Sequence, residues 1–403
     1  MTTPATRPRQ VLAVVGTVAL ALNLRPVVNS VGSLLPEIRA GLALSATAGG
    51  ALTSLPPFTF AAFGLLAPLL TARFHRERVI TVALGVMAAG QVLRLVGPSA
   101  ALLFVGSLTA LMGLAVCNVL MPSLIRAYFP DRVALMTAVY TTSLAIGATS
   151  SSALSVPLAQ GLGGDWRTGL GVWAITAAIA LLPWVVMWWK SPTATTGTAR
   201  TALPLRSLLR SRMAWTMAFF FGLQSSQAYI VTAWLSQIMV DAGADLASGG
   251  YAVGLFAGLG IPIAAAIPAL LVKQSRLPAL IVTLSTSYVA GYAGLIIAPA
   301  AGMWGWAVLL GIGSGTFPLI LTLLALRART SEGVAALSAF TQCTGYLVAA
   351  AGPVVIGALH DLTGDWTVPL TVTAASAAVM GLLGLRIARP RFLEDELAVP
   401  LPA

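Results

Sequence analysis

The sequence predicts an all-α integral membrane protein, with twelve transmembrane helices in two six-helix bundles that a pseudo-two-fold axis relates. Two observations carry this prediction. The chain of 403 residues is 58% hydrophobic and only 9% charged, whereas a water-soluble domain carries roughly a quarter charged residues. The chain also resembles itself at a constant offset, because Gly164-Asp165-Trp166 returns as Gly364-Asp365-Trp366 and Gly49-Gly50 returns as Gly249-Gly250. Repeated bundles of this kind place a binding site near the membrane midplane.

The individual spans follow from length, since a helix needs about 20 residues to cross ~30 Å of hydrocarbon. Twelve apolar runs are long enough, and they cover residues 11–36, 47–72, 79–97, 100–127, 133–160, 168–189, 213–240, 248–272, 278–298, 303–326, 334–359 and 367–388. Residues 1–190 form the predicted N-terminal bundle, and the polar stretch 191–211 is a cytoplasmic linker. Residues 212–403 form the predicted C-terminal bundle with a short basic tail.

The basic residues indicate the orientation of these spans. The net charge is +11, and 19 of the 23 Lys and Arg fall in the two termini, the linker and alternate short loops. Short loops rich in Lys and Arg stay in the cytoplasm. We therefore expect a multi-pass plasma-membrane protein with both termini cytoplasmic. The same clustering argues against a nucleic-acid partner, because no basic face is interleaved with aromatic residues.

The sharpest candidate functional residue is Arg25. It lies about 14 residues, or ~20 Å, into the first span, where an arginine costs at least ~2.5 kcal/mol on insertion scales. Pro26 removes a backbone donor, so we expect a kink beside the charge. No Asp or Glu lies deep in any predicted span, which favours an anionic ligand for the guanidinium. The alternative is an arginine that hydrogen-bonds helix ends across the bundle.

Other polar residues of the first half are weaker candidates. Asn29 shares a helix face with Arg25, and Asn118 and Tyr140 lie in the fourth and fifth spans; each either lines a cavity or bonds a neighbouring helix. Glu37 and Arg94 lie at outer span ends, where Arg94 either reaches the interface, pairs with Glu37 or contacts substrate. Because no acid lies deep in a span, the candidates for any proton coupling are Glu37, the outer His360 and the substrate itself.

The second half has its own polar set without a central charge. Under the 200-residue offset, Ser225 is the counterpart of Arg25 and Tyr229 is the counterpart of Asn29. The seventh span also carries Gln224 and Gln227, and the eleventh carries Gln342 and Tyr346 at i, i+4 spacing on one face. We predict that these residues either line the cavity or hold helices together. Neither cysteine belongs to a disulfide pattern, and the sequence indicates no metal site and no cofactor.

The chain resembles the major facilitator superfamily and, within it, the family of cyanate and nitroimidazole transporters. The similarity covers nearly all twelve spans, and the segments that carry it are Asn23-Leu24-Arg25-Pro26, Leu34-Leu35-Pro36-Glu37-Ile38, Asn118-Val119-Leu120-Met121-Pro122, Phe129-Pro130-Asp131-Arg132-Val133, Gly222-Leu223-Gln224-Ser225, Leu326-Arg327-Ala328-Arg329 and Gly357-Ala358-Leu359-His360-Asp361. One loop departs from the superfamily pattern: the stretch from Ala72 to Arg76 keeps Arg73 and Arg76 but lacks the acidic residue that helps lock one state. The resemblance leaves the gating role of Arg73 and Arg76 open.

These observations predict a secondary transporter that moves a small anionic or electron-rich solute, such as a cyanate-like anion or a nitro-aromatic compound, by alternating access. Its expected partners are that solute, membrane lipid and a proton or counter-ion, and we expect a monomer. The competing interpretation is a multidrug-type exporter of hydrophobic organic compounds with a structural Arg25. An enzyme is not expected, since the two histidines and two cysteines form no catalytic pattern.

Overall fold

The computed structural model describes residues 7–63, 66–97, 99–189, 205–271 and 274–397. All regular secondary structure in these ranges is helical. The chain divides into two compact units, Met1–Leu44 with Ala62–Ala199, and Ser45–Ala61 with Arg200–Ala403. Most of the linker (191–204), together with the basic residues Lys190, Arg200 and Lys273, lies outside the described residues.

Eighteen α-helices occupy the described ranges. Those of the first half are α1 (Arg7–Leu24), α2 (Pro26–Ser33), α3 (Leu35–Leu42), α4 (Ala46–Phe63), α5 (Leu66–Arg73), α6 (Arg76–Leu93), α7 (Ala100–Tyr128), α8 (Val133–Gly161) and α9 (Trp166–Trp189). Those of the second half are α10 (Leu205–Leu208), α11 (Arg212–Asp241), α12 (Leu246–Leu271), α13 (Leu277–Ile297), α14 (Met303–Gly313), α15 (Thr316–Leu326), α16 (Ser331–Thr363), α17 (Thr367–Ala388) and α18 (Leu393–Leu397).

Eight stretches within the described residues are long and apolar enough to cross a membrane: Val11–Ser33, Ala100–Met121, Trp166–Trp189, Leu246–Leu271, Leu277–Ile297, Met303–Leu326, Glu332–Thr363 and Thr367–Ala388. The other four predicted spans also form helices, namely α4 with α5, α6, α8 and α11. Their sequences explain the difference. The helix α11 carries Gln224, Gln227 and several serines, α8 is rich in Ser and Thr, and α6 begins with Arg76-Glu77-Arg78.

Proline interrupts the first predicted span where the sequence indicates a kink. Helix α1 ends at Leu24, and α2 begins with Pro26, so Arg25 occupies the break itself. A second break separates α2 from α3 at Leu34, again with a proline at the start of the new helix. The tenth predicted span divides in the same way between α14 and α15, at Ser314 and Gly315. The helix is thus interrupted where the sequence predicts a kink, and Arg25 itself keeps helical dihedral angles (φ −84°, ψ −35°).

Close helix contacts in each unit depend on glycine. In the first, Gly16 of α1 lies against the fully buried Trp184 of α9, whose indole donates a hydrogen bond to the Gly16 carbonyl at 3.1 Å. In the second, Gly345 of α16 lies against the backbone of α11 and the ring of Phe221. A side chain at Gly345 would clash with the Phe221 ring and the α11 backbone, so this contact fixes where the candidate residues of α11 and α16 lie.

The repeated Gly-Asp-Trp turns share one hydrogen bond in both halves, although α9 begins at Trp166 and α17 at Thr367. The carboxylate of Asp165 accepts a hydrogen bond from the backbone N–H of Arg167 at 2.9 Å. The carboxylate of Asp365 accepts one from the backbone N–H of Thr367 at 2.8 Å. Each aspartate therefore caps the helix that follows, α9 or α17, and satisfies one of its free N–H groups. The internal repeat of the sequence is thus a structural repeat at this position.

Candidate functional residues of the two units

Arg25 lies at the break between α1 and α2, and its guanidinium is not bonded to any described residue. The residue is half-buried, and its guanidinium makes no hydrogen bond or ion pair with any residue that the structure describes. The backbone beside it is tightly packed, since Gly147 of α8 lies against the carbonyl of Leu22, the group that Pro26 leaves without a helical donor. The position of Arg25 is fixed, while its five donors remain available.

Asn29 and Ser33 face the interior of the first unit. Asn29 is 7% exposed, and its amide donates a hydrogen bond to the hydroxyl of Ser152 on α8 at 3.2 Å. The Ser33 hydroxyl bonds back to the carbonyl of Asn29 at 3.4 Å. The bond between Asn29 and Ser152 holds α2 against α8. Of the two interpretations left open for Asn29, this geometry matches the helix-to-helix bond.

Asn118 and Tyr140 form a pair across α7 and α8. The Tyr140 hydroxyl donates to the side-chain oxygen of Asn118 at 3.0 Å. Asn118 is half-buried, and its amide nitrogen makes no hydrogen bond within the part of the chain that the structure describes. The pair therefore fixes the orientation of the amide and leaves an N–H₂ donor available for another acceptor.

Arg94 is the buried arginine of the first unit. It is 2% exposed, and one guanidinium nitrogen donates to the carbonyl of Val27 on α2 at 3.0 Å, while its Nε is buried without a partner among the described residues. The pairing with Glu37 that the sequence left open does not form. The end of α6 instead turns the side chain inward onto α2, where a backbone carbonyl takes the place of a carboxylate.

Glu37 lies in the first turn of α3 with an uncommon environment for a carboxylate. One of its oxygens, Oε2, is buried without a hydrogen-bond partner among the described residues. Burial, and then repulsion from Asp165, raise the pKa of Glu37 above its ordinary value of 4.5. Arg73 and Arg76, the basic residues of the loop after the second predicted span, are exposed at the end of α5 and the start of α6.

In the second unit, the fully buried Gln227 belongs to a hydrogen-bond network. Its amide nitrogen donates to the Ser376 hydroxyl at 2.7 Å, and its oxygen accepts from the Tyr292 hydroxyl at 2.6 Å. The network ties α11 to α13 and α17. Gln224, which is 1% exposed, bonds the adjacent Ser225 hydroxyl at 2.6 Å. Both glutamines have the surroundings of packing residues.

Gln342 and Tyr346 have more open surroundings on α16. Both are half-buried, as is Tyr229 on α11. The amide of Gln342 makes no hydrogen bond with a described residue. The ring of Tyr346 lies 5.3 Å from the ring of Phe60 and 5.1 Å, edge-on, from that of Phe221. This aromatic cluster positions the face of α16 that carries the free amide.

Asp361 has a role that sequence reasoning missed, since the sequence analysis names it only at the end of a segment that carries the family resemblance. Its carboxylate accepts hydrogen bonds from the backbone N–H groups of Ala46 and Thr47, at 2.8 and 2.7 Å, and from the Thr47 hydroxyl at 2.6 Å. A side chain of α16 thus caps the N-terminus of α4. No signal in the sequence could have paired residues that lie more than 300 positions apart.

The comparisons with known proteins agree with this architecture. The family model described as Major Facilitator Superfamily matches residues 17–353. The chain is 37% identical to an uncharacterized transporter of Bacillus subtilis (strain 168), over 94% of each chain. It is 35% identical to the 2-nitroimidazole transporter of Escherichia coli (strain K12), over 95% of this chain and 96% of that one. It is 30% identical to the cyanate transport protein of the same organism, over 93% and 97%.

A solved structure supports the fold separately. A bacterial homolog of the human lysosomal transporter Spinster superposes with a TM-score of 0.77 at 15% identity, over 97% of this chain and 99% of that one. The chain belongs to the Major Facilitator Superfamily, and it is a multi-pass membrane protein whose relatives are transporters. Twelve membrane helices, as the sequence predicts, are the layout of that fold.

Proposed function

We propose that the protein is a secondary carrier, not an enzyme, that moves a small anionic or electron-rich solute across the plasma membrane by alternating access, with both termini in the cytoplasm. The observation that carries the proposal is the state of Arg25. Arg25 lies far inside an apolar span, is half-buried and has no hydrogen-bond or ion-pair partner among the described residues. A membrane-embedded arginine is costly, and a ligand that carries negative charge or oxygen acceptors offsets that cost only while bound.

The chemistry of the ligand follows from the donors. A guanidinium offers parallel N–H groups that match a carboxylate, nitro or similar planar group. The Asn118 amide nitrogen and the Gln342 amide are further unbonded donors in the first and second unit. Relatives that transport 2-nitroimidazole and cyanate handle solutes of this class. We therefore favour a compact, acceptor-rich solute over a large hydrophobic drug, the substrate of the competing exporter hypothesis.

A thermal-shift experiment on the purified protein tests the proposal. Cyanate, nitrate, short carboxylates, 2-nitroimidazole and a set of hydrophobic cationic drugs would each be added to wild type, Arg25→Gln, Arg25→Lys and Arg386→Gln. A ligand that binds only the folded state stabilises it by about 2.7 kcal/mol at one hundred times its Kd. Arg386 is an exposed arginine at the end of α17, so its variant controls for the loss of one positive charge.

We expect at least one acceptor-rich solute to raise the Tm of wild type and of Arg386→Gln, but not that of Arg25→Gln. Arg25→Lys should show a smaller shift, because an ammonium cannot donate two parallel hydrogen bonds. If only hydrophobic drugs stabilise the protein, and Arg25→Gln responds as wild type does, Arg25 is structural and the exporter hypothesis replaces the proposal.

A further inference from the structure

An apolar groove lies within the first unit, away from Arg25. Its volume is about 360 Å³, and its walls come from α4 and α5 on one side and from α6 and α7 on the other. The apolar residues that line most of it are Phe63, Leu70, Val82, Val86, Met112 and Val116. This volume is at the lower end of the range of about 300–1,000 Å³ for small-molecule sites.

The groove exists because α6 and α7 meet at a glycine. Gly113 of α7 lies against the carbonyl of Ala83 and the backbone nitrogen of Met87. The missing side chain lets the two helices touch there and forms the floor of the groove. On the rim, Val82 is 52% exposed, so the protein itself does not cover the apolar wall. In a membrane, acyl chains are the molecules that contact such a wall.

One end of the groove carries a single charged lining residue, Arg78. Its guanidinium carbon lies 5.2 Å from the ring centroid of Phe74 and 5.7 Å from that of Trp188. Arg78 is exposed and makes no hydrogen bond or ion pair within the described part of the chain. The adjacent Glu77 carboxylate accepts a hydrogen bond from the Tyr128 hydroxyl of α7.

Basic residues predominate around this end of the groove, with Glu77 as the acid among them. Arg73 and Arg76 are also exposed there, at the end of α5 and the start of α6. Basic pockets at the ends of membrane helices bind anionic lipid head groups, and Trp side chains concentrate at the same depth. The end of the groove therefore offers guanidinium donors for a phosphate, directly continuous with an apolar wall.

We propose that this groove is a binding site for an anionic phospholipid, with one acyl chain along α6 and the phosphate on Arg78. A free inorganic anion would make no use of the apolar wall, and a neutral hydrophobic solute would make no use of the guanidinium. A zwitterionic lipid has a phosphate too, but its own cation opposes Arg73 and Arg76. The proposal is independent of the solute that the protein carries.

Native mass spectrometry of the full-length protein in detergent tests this site. Phosphatidylglycerol and phosphatidylcholine with identical acyl chains would be supplied in equal amounts to wild type, Arg78→Gln, Val82→Trp and Arg386→Gln. The Val82→Trp change places a large ring over the groove from an exposed position, so the fold tolerates it. Arg386 is the matched control for charge, because it is an exposed arginine outside the groove. A Tm measured for each variant verifies folding.

We expect wild type and Arg386→Gln to retain phosphatidylglycerol over phosphatidylcholine by roughly fivefold, the factor that one basic residue near an anionic head group supplies. Arg78→Gln should lose this preference, and Val82→Trp should retain less of both lipids. Glycerol phosphate, which lacks acyl chains, should not displace the bound lipid. The proposal is overturned if wild type shows no head-group preference, if Arg78→Gln behaves as Arg386→Gln does, or if glycerol phosphate competes fully.

Discussion

Arg25 and Arg94 are two arginines of the same unit with opposite surroundings. Both belong to predicted spans, and insertion scales assign the higher cost to Arg25, which lies near the middle of its span, whereas Arg94 lies near an outer end. Arg94 is 2% exposed and bonds the Val27 carbonyl, so the protein interior already uses its charge. Arg25 is half-buried without a partner among the described residues. The sequence could rank them only by depth, and their difference in bonding required the structure.

This contrast predicts different effects on stability. Arg94→Ala should lower the free energy of unfolding by about 2–4 kcal/mol, because it leaves a cavity between α6 and α2. Arg25→Ala should change it by less than about 0.5 kcal/mol, since the guanidinium makes no hydrogen bond or ion pair with a described residue that the change would remove. Thermal unfolding of both variants in the same detergent measures the two effects. Equal destabilisation, or a larger loss for Arg25→Ala, would contradict the structural assignment of Arg94.

Glu37 gives a prediction for pH. Its pKa is raised, by burial first and by Asp165 second, so the folded state binds this proton more tightly than the unfolded chain does. The stabilisation from the protonated form is therefore present below the ordinary pKa of 4.5 and is lost as pH rises through the raised pKa. Glu37→Gln, which mimics the protonated form, should be more stable than wild type at pH 8.

The difference in stability between wild type and Glu37→Gln should disappear as pH falls toward 4.5, which is the ordinary pKa of this carboxyl group. Melting temperatures of wild type and Glu37→Gln across that interval measure it. A constant difference at every pH would show that Glu37 does not titrate there, and a less stable variant at pH 8 would contradict the burial argument.

Helix α4 begins with a cap from a distant helix. Its N-terminal part, within Ser45–Ala61, belongs to the same compact unit as α16, and Asp361 satisfies two of its free backbone N–H groups. A carboxylate at a helix N-terminus also complements the helix dipole. Two acids near the C-terminus also bond backbone N–H groups at helix starts. Glu394 accepts a hydrogen bond from the N–H of Thr330, just before α16, and Glu396 accepts one from the N–H of Met213 in the first turn of α11.

We predict that Asp361→Ala loosens the first turn of α4. Loss of an N-cap costs about 0.5–2 kcal/mol, which corresponds to roughly 2- to 30-fold faster local opening. Hydrogen exchange of a peptide covering residues 45–55 should accelerate by that factor. The matched control is Asp245→Ala, because Asp245 caps the start of α12 through the Ser248 N–H at 2.9 Å.

The control should accelerate exchange near residues 245–252 and leave the α4 peptide unchanged. If Asp361→Ala leaves exchange in α4 at the wild-type rate, the carboxylate does not hold that helix end. If both variants accelerate both peptides, the effect is a general loss of stability and the specific role of Asp361 is contradicted.

The sequence predicts where a helix breaks when a residue at that position causes the break. Pro26 determines the break beside Arg25, and glycine with proline determines the break between α14 and α15. Helix caps from remote residues were not predictable, because Asp361 and Glu396 bond groups that only the tertiary fold brings near. The tail that the sequence describes as basic ends in α18, whose acids serve as these caps.

The candidate site was predictable only as a set of polar residues inside spans. Composition cannot tell a bonded amide from a free one, and the structure separates Gln227, enclosed by Tyr292 and Ser376, from Gln342, which has no partner among the described residues. The sequence repeat anticipated the equivalent turns at Asp165 and Asp365. It also indicated that the halves differ in charge, since Ser225 stands where the first half has Arg25.

At the scale of the whole molecule, the protein belongs to the Major Facilitator Superfamily, so the movement of solute across a membrane is the property that tests the proposed function most directly. The central claim is that the protein carries a small acceptor-rich solute and that Arg25 binds it. The direct measurement is counterflow of the best-stabilising solute, in radiolabelled form, into proteoliposomes that contain wild type, Arg25→Gln or Arg386→Gln. We predict accumulation in wild type and Arg386→Gln, and a loss of at least ~100-fold in Arg25→Gln, because an uncompensated charged hydrogen bond is worth about 1.5–3 kcal/mol and the bidentate contact contains two. Equal counterflow in Arg25→Gln and wild type would contradict the claim.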